Sequence, residues 1–243
     1  FIDLCLKTIS EIRDDFINDW RILGVSADFE NCYSTIDENS RRISQKSFID
    51  LYNKENIYKK EFPTLWCPEC QTAIAQAELE DKELPSKFST IIFTLKESGK
   101  ELHIATTRPE LLSACVAIFV NPKDDRYKDM IGKKVIVPLF HQEVEVIADE
   151  SADIEKGTGV LMICSYGDKF DVEAVQKYKL NPKIVFNADG TAKFEGYEGL
   201  SITDTRKKVL SDLKHADLIV EQKDITHAVN VHDKCGTEIE FYP

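Results

Sequence analysis

The chain has 243 residues, 42% of them hydrophobic and 30% charged, enough to bury a core of its own as one large domain or a domain with an appendage. No stretch approaches the roughly 18 uninterrupted apolar residues of a membrane span, which argues against a membrane partner and for a cytoplasmic protein. Lys and Arg number 31 against 43 Asp and Glu, a net charge of −12, so no global field draws in a polyanion and any nucleic-acid contact rests on local patches and shaped pockets.

In chain order, residues from Phe1 to about Phe62 read as helical. The start, Phe1-Ile2-Asp3-Leu4, has neither an initiator Met nor the layout of a signal peptide, which predicts an excised piece of a longer protein. Ile2, Leu4, Leu6, Ile9, Ile12 and Phe16 form one mostly apolar face, and Phe48, Ile49, Leu51 and Tyr52 another. Leu23-Gly24-Val25-Ser26-Ala27-Asp28 is a turn-rich connection between them. These helices have little of their own to pack against, so their partner surface is expected in another domain.

Next comes Cys67-Pro68-Glu69-Cys70, answered about 160 residues later by His232-Asp233-Lys234-Cys235. Each half-site holds two soft or borderline ligands three positions apart, a separation that lets one tight turn aim both at one ion. The expected site is a closed tetrahedral set of Cys67, Cys70, His232 and Cys235, a structural zinc stapling two chain crossings. His227 is close enough in sequence to compete with His232. The remaining thiols, Cys5, Cys32, Cys115 and Cys164, sit singly among apolar neighbours and read as core residues.

From about Ser89 the pattern changes to short β-like runs. Thr90 to Leu95, a Glu97-Ser98-Gly99-Lys100 turn and Leu102 to Ala105 predict a hairpin. Further strands are expected at Val116 to Val120, Lys134 to Val137, Val144 to Ala148, Gly159 to Cys164, Ile184 to Phe186 and Leu218 to Glu221, with helices at Asp171 to Tyr178 and Thr203 to Leu213. The expected fold class is α+β: a β-barrel-like domain with interposed helices, a zinc-ribbon-like module at its base and an N-terminal helical segment.

Three pieces inside the interval framed by the half-sites carry candidate chemistry. Ala105-Thr106-Thr107-Arg108-Pro109-Glu110 is a strand end that breaks at Pro109 into a helix, leaving hydroxyls, N–H groups and a guanidinium at a corner suited to an ester or a phosphate. Gly157-Thr158-Gly159 permits close backbone approach to a ligand. Gly167-Asp168-Lys169-Phe170-Asp171 opens a helix with two carboxylates three apart, on the same side of its first turn. Singly, each has a plain structural reading: an N-cap for Asp168, a hairpin turn for the glycines, strand residues for the threonines.

Taken in this order, the three pieces resemble the editing domains inserted into the leucyl, isoleucyl and valyl tRNA synthetases. The run Leu111 to Pro122, with Asp125-Arg126-Tyr127 after it, looks valyl, as do Cys67 to Glu80 and Trp20 to Phe29. Isoleucyl enzymes usually have a further Thr where Arg108 stands, and leucyl enzymes usually have Asp where Glu110 stands. Met162 and Cys164 depart from the Lys and Thr usual in bacterial valyl enzymes, a pattern closer to the archaeal and eukaryotic type. The resemblance assigns 1–64 to the catalytic domain or its connection, 65–80 and 226–243 to the zinc-ribbon-like halves, and 81–225 to the editing domain. The aminoacylation signatures His-Ile-Gly-His and Lys-Met-Ser-Lys-Ser are absent, so no amino-acid activation is expected from this chain; ATP would serve only the catalytic domain, and no organic cofactor is expected.

The activity the resemblance implies is hydrolysis of threonine mischarged on tRNA(Val), with the acceptor 3′ end and the rest of the synthetase as partners and a monomeric state. Asp171 would bind the threonyl α-ammonium, and Asp168 would help or take the threonine hydroxyl. Thr106, Thr107 and Gly157-Thr158-Gly159 would line the pocket and hold the terminal adenosine, with Arg108 and Glu110 at the corner as substrate-binding and orienting groups. No Ser–His or Cys–His pair is evident, so catalysis would come from positioning a water and stabilising the oxyanion. Two other readings compete: a zinc-stapled tRNA-end binder without activity, and an editing domain of the leucyl or isoleucyl kind.

Overall fold

The computed structural model describes residues 1–243, which divide into two compact units, Phe1–Lys60 and Glu61–Pro243. The first unit holds α1 (Ile2–Ile22) and α2 (Glu38–Asn53), neither with a buried residue. Asp37 caps α2, its carboxylate accepting the Ser40 N–H at 2.7 Å, the role for which a short acidic side chain is favoured before a helix. Ile2, Leu4, Phe16, Phe48 and Ile49 are all exposed, as expected for helices whose apolar faces have nothing of their own to cover them.

The second unit opens with β1 (Thr64–Cys67) and β2 (Thr72–Ala73), followed by the long β3 (Leu79–Leu95) and β4 (Glu101–Thr106). After a buried 3-10 helix at Pro109–Ala114 come β5 (Cys115–Val120), β6 (Lys134–Ile136), β7 (Glu143–Ala148) and β8 (Val160–Cys164). Two helices, α3 (Lys169–Lys177) and α4 (Ile202–His215), precede β9 (Ile219–His232) and β10 (Glu240–Tyr242). A seven-stranded sheet runs in the order β4-β3-β6-β7-β5-β8 with β9 added on β3, while β10, β1 and β2 form a separate small sheet. The large sheet curls so that its path ends, β4 and β8, approach one another. The fold is α+β with a curled half-barrel and few helices.

The core follows from the strand patterns. Ile91, Phe93 and Leu95 alternate inward along β3 and meet Leu102 and Ile104 across the β3–β4 hairpin. In β5, Ala117 to Val120 are all buried because both faces are covered: Ile118 and Val120 face the barrel core, whereas Ala117 and Phe119 pack with Ile163, Ala174 and Phe170 under α3. Buried Val209 and Leu213 bring α4 onto the barrel core.

Two expectations are corrected. Ile184 to Phe186 is not a strand; Phe186 makes one isolated bridge with Ala192 and packs edge-on against Phe194 as part of the barrel core. The second concerns length, since β3 and β9 reach far beyond the hairpin and the Leu218–Glu221 run. They pair antiparallel from Leu79↔His232 to Ile91↔Ile219, with a bulge at Thr90/Ile91, as a two-stranded ribbon that rises from the barrel. The charged surface of this ribbon (Glu80, Asp81, Lys82 and Glu83 among others) hides its strand character, because backbone pairing rather than side-chain burial holds it.

Candidate active site and metal cluster

β4 ends at Thr106, and Pro109 begins the 3-10 helix, where a fixed φ and a missing N–H suit the first turn. Thr106 closes this corner, its Oγ1 accepting the Arg108 backbone N–H at 3.0 Å. Across from it, β8 ends at Cys164 and the chain turns through Gly167 into α3. Asp168 caps that helix by accepting the Asp171 N–H at 2.9 Å. Asp171 accepts the Cys164 N–H at 3.0 Å, which draws its carboxyl back onto the end of β8. A side chain at Gly167 would strike the Asp171 carboxylate and Leu111, so a larger residue there would displace the carboxylate.

A cavity of about 480 Å³ lies between these strand ends and the β3–β9 ribbon. Thr106 lines it from the end of β4 and Thr107 and Arg108 from the turn after it, with Asp168 at the cap of α3 and Asp171 in its first turn. Met162 and Cys164 supply an apolar wall from β8, and Ile225 and His227 line the opposite side from β9. A second cavity of about 360 Å³ is lined by Gly157, Thr158 and Gly159 and shares Phe88, Ala105, Lys156, Leu161 and Asp168 with the first. Gly159, at φ +78°, stands where a Cβ would come within 2.6 Å of the Arg126 guanidinium, and the loop is further held by the Tyr127 hydroxyl donating to the Thr158 carbonyl at 2.8 Å. The Thr158 Oγ1 is buried there without a hydrogen-bond partner.

Of the pocket residues expected from sequence, Asp171, Asp168, Thr106, Thr107, Arg108, Gly157, Thr158 and Gly159 line these two adjoining cavities. Glu110 lines neither and is wholly buried. Its Oε1 accepts from Arg108 Nε at 3.0 Å and from Arg206 Nη2 at 2.8 Å, and its Oε2 accepts from Arg206 Nε at 2.9 Å. Burial opposes the ionised form of Glu110, but the two guanidiniums outweigh it and hold the carboxyl below its ordinary range. Removing one member of such a set leaves buried charge unpaired. Glu110→Gln is therefore expected to lower stability by about 3 to 5 kcal/mol in urea unfolding; a loss under about 1 kcal/mol contradicts the network.

Asp171 behaves in the opposite way. It is buried, and desolvation together with the charge of Asp168 pushes its carboxyl up to about 8, only partly offset by the Cys164 N–H and by Arg108. Arg108, the cation acting on it, is engaged elsewhere: Nε with Glu110, Nη1 with the Gly167 carbonyl at 3.1 Å, and Nη2 with Glu240 at 2.7 and 2.8 Å. Asp171 is thus a buried carboxyl facing a cavity without a cation dedicated to it, which is the environment of a site for a ligand cation. The Cys115 and Cys164 thiols are pushed up, first by burial and then by the charge of Asp171, so neither supplies a thiolate nucleophile.

The half-sites meet at the far ends of β1 and β9. The donor atoms of Cys67, Cys70, His232 and Cys235 all lie within 4.8 Å of one another. Separations of 3.5 Å for Cys67 Sγ to Cys235 Sγ, 3.5 Å for Cys70 Sγ to His232 Nδ1 and 3.3 Å for Cys235 Sγ to His232 Nδ1 are close to the roughly 3.5 to 3.8 Å edges of a tetrahedron with metal–ligand bonds of about 2.0 to 2.3 Å. Hydrogen bonding to the Thr237 side chain draws the Cys235 thiol down to about 6, favouring the thiolate a metal needs, while Cys70 is pushed up to about 11 by its neighbour Cys235. The buried His232 Nε2 has no hydrogen bond, and its nearest acidic neighbour, Asp233 Oδ1, is 3.6 Å away. The cluster can hold a metal ion, and with β1, β2 and β10 it is consistent with a zinc-ribbon-like module. His227 is not part of it.

Sequence reasoning missed Phe88, Lys156, Ile225 and His227 as cavity residues, and Arg206 and Glu240 as partners of the corner. The alternation of half-buried Ile225, His227 and Val229 along β9 is the signal that places the first two of these β9 residues on one face.

Comparison with known proteins adds an independent line. The family profile tRNA synthetases class I (I, L, M and V) matches residues 1–230. Valine--tRNA ligase of Haloarcula marismortui is 40% identical over 250 residues, covering 99% of this chain and 28% of that protein. The Thermoplasma acidophilum protein of the same name is 41% identical over 244 residues, covering 100% and 31%, and that of Ehrlichia canis is 40% identical over 251 residues, covering 99% and 31%. The chain spans about three-tenths of the length of these relatives.

Proposed function

We propose, starting from the family to which this chain belongs, the class I tRNA synthetases of the isoleucyl, leucyl, methionyl and valyl group, that it carries a proofreading site that hydrolyses threonine from mischarged tRNA(Val). The observation that supports this most is Asp171, a buried carboxyl aimed into a 480 Å³ cavity with its nearby guanidinium already engaged. An aminoacyl ester offers such a pocket an α-ammonium. For valine enzymes the need is recognised: a pocket shaped for valine rejects isosteric threonine only about a hundredfold, a magnitude known for this family rather than read from this structure.

The chemistry is an ester cleavage by water. Water adds to the ester carbonyl, the carbon–oxygen bond to the ribose breaks, and threonine leaves the 3′-terminal hydroxyl restored. Asp171 holds the α-ammonium and so fixes the carbonyl, and Asp168, exposed at the rim of both cavities, reaches the threonine hydroxyl or the attacking water. Thr106 and Thr107 face the ester from β4, and the Gly157–Gly159 loop admits the terminal adenosine to the adjoining cavity. The apolar Met162 and Cys164 wall leaves hydroxyl recognition to the carboxylates and threonines. Valine, bound there, would leave those polar groups unpaired, at about 1 to 3 kcal/mol for each.

The Cys67, Cys70, His232 and Cys235 set would hold a zinc ion with no open position, so its role is structural. The division into a helical segment at 1–64, metal-module halves at 65–80 and 226–243 and an editing domain at 81–225 belongs to the same reading, as do tRNA(Val) and the remainder of a synthetase as partners. No helix is long and apolar enough to cross a membrane.

The reading is tested by incubating the 243-residue chain with threonyl-tRNA(Val). Threonine release well above the buffer rate is expected; release at the buffer rate favours a module that only binds the tRNA end.

A further inference from the structure

The Arg108 guanidinium joins three segments that are far apart in sequence. Nη2 donates to both oxygens of Glu240 on β10, Nη1 donates to the Gly167 carbonyl, and Nε donates to Glu110 at the start of the 3-10 helix. Glu240 is in turn held by pairing with Trp66, the residue before the metal-cluster cysteine Cys67, and the Trp66 indole N–H donates to the Ala188 carbonyl at 2.7 Å. Gly167 is packed so tightly on Asp171 that no side chain fits between them. The Gly167 turn thus lies directly against the Asp171 carboxylate, whose other oxygen accepts the Cys164 N–H.

We propose that Glu240 is a positioning residue for the hydrolytic pocket: through Arg108 it fixes the Gly167 turn and thereby the carboxylate of Asp171. The small β10-β1-β2 sheet is then part of the pocket's scaffold and not only a staple at its base. Nη2 alone bonds both Glu240 oxygens while Nη1 and Nε are held by Gly167 and Glu110, so the contacts on all three nitrogens together fix the plane of the guanidinium. The Glu240 side chain, 14% exposed, and Arg108, 24% exposed, are shielded enough for that geometry to persist. Arg206 fills the other side of Glu110 and reaches toward Glu238 at 3.7 Å, so Arg108 is held between two acidic partners, Glu110 and Glu240, and cannot leave either without breaking the set.

This inference rests on the proofreading reading, and its test separates the two. The probe is adenosine carrying threonine through an amide at the ribose, which binds as the ester does but is not cleaved. Its affinity for the 243-residue chain is measured by calorimetry in the wild type, Glu240→Gln, Asp171→Asn and the double variant. Glu240→Gln is expected to weaken binding about tenfold, within the usual coupling of groups in one network, and to add nothing in the Asp171→Asn background. An equal loss in both backgrounds, or no loss in either, overturns the positioning role. If the wild type itself does not bind the probe, the proofreading reading fails, and the ¹³C carboxyl titration of Asp171 then decides the positioning claim. A displaced midpoint in Glu240→Gln supports it and an unchanged one overturns it. Should Glu240→Gln not fold, Glu240→Asp, which keeps the charge but draws the carboxylate back from Arg108 Nη2, takes its place with the same outcomes.

Discussion

Asp171→Ala is expected to reduce threonyl-ester hydrolysis by about 100- to 1,000-fold, the loss associated with removing one preorganised electrostatic contact from a shielded site. The size follows from burial: an ammonium–carboxylate contact in this cavity is far less screened by water than one on the surface. Asp171→Asn should lose nearly as much, because the shape is kept and the charge is not. The pH dependence has a definite sign. The free pocket holds the carboxyl up to about 8 through desolvation and the charge of Asp168. A permanently cationic ligand binds the ionised form, so its affinity should rise with pH and level off above about 8, and the dependence should vanish in Asp171→Asn. Stability should move the other way. Because the folded value lies above the ordinary 3.8, the contribution of Asp171 is fully present below about 4 and is lost as pH rises through 8. Asp171→Asn should therefore gain on the wild type in urea midpoint between pH 5 and pH 8.5, and parallel curves for the two proteins would contradict a buried carboxyl with no cation dedicated to it.

The second large effect is expected at the metal cluster. Cys67→Ser removes a fully buried donor from a four-ligand set, and with it most of the free energy a bound metal contributes to folding. Structural zinc supplies about 10 to 16 kcal/mol in small finger peptides; here the barrel core holds the second unit together as well, so a Tm decrease of about 10 °C is the expected scale. Metal content of protein purified without added metal should fall from about one zinc per chain to less than about one in four. A variant that keeps its Tm and its zinc would rule out the set, and a wild type without zinc would rule out the metal. Because β10 leaves this module carrying Glu240, loss of metal should also weaken ligand binding at Asp171.

The parts legible in the sequence are those whose signal is local. Pro109 after a β-like run marks the corner, two carboxylates three apart mark the start of α3, and the two ligand pairs mark the cluster even though about 160 residues separate them. Burial alternating at every second residue shows in β3 from Ile91 to Leu95, and it places the hairpin. The ribbon formed by Leu79 to Phe88 and Lys223 to His232 is held by backbone pairing under a largely exposed surface: charged residues mask its β3 half, and only the alternation of Ile225, Val229 and Val231 marks its β9 half. With the ribbon hidden, His227 reads as a spare metal ligand, whereas it lines the cavity with a buried, unpartnered Nδ1. Glu110 looks like a surface group at a corner until Arg206, 96 positions later, comes in to meet it. Ile184 to Phe186 has a strand's composition, but Ile184 stays exposed and Phe186 pairs only through one bridge to Ala192 while its ring packs against Phe194.

Selectivity between two esters bears most directly on a proofreading site. Single-turnover deacylation of threonyl-tRNA(Val) and valyl-tRNA(Val) by the 243-residue chain should show rapid release of threonine and release of valine at the buffer rate. Equal release of both amino acids, or of neither, would contradict a pocket built to recognise threonine and destroy its ester.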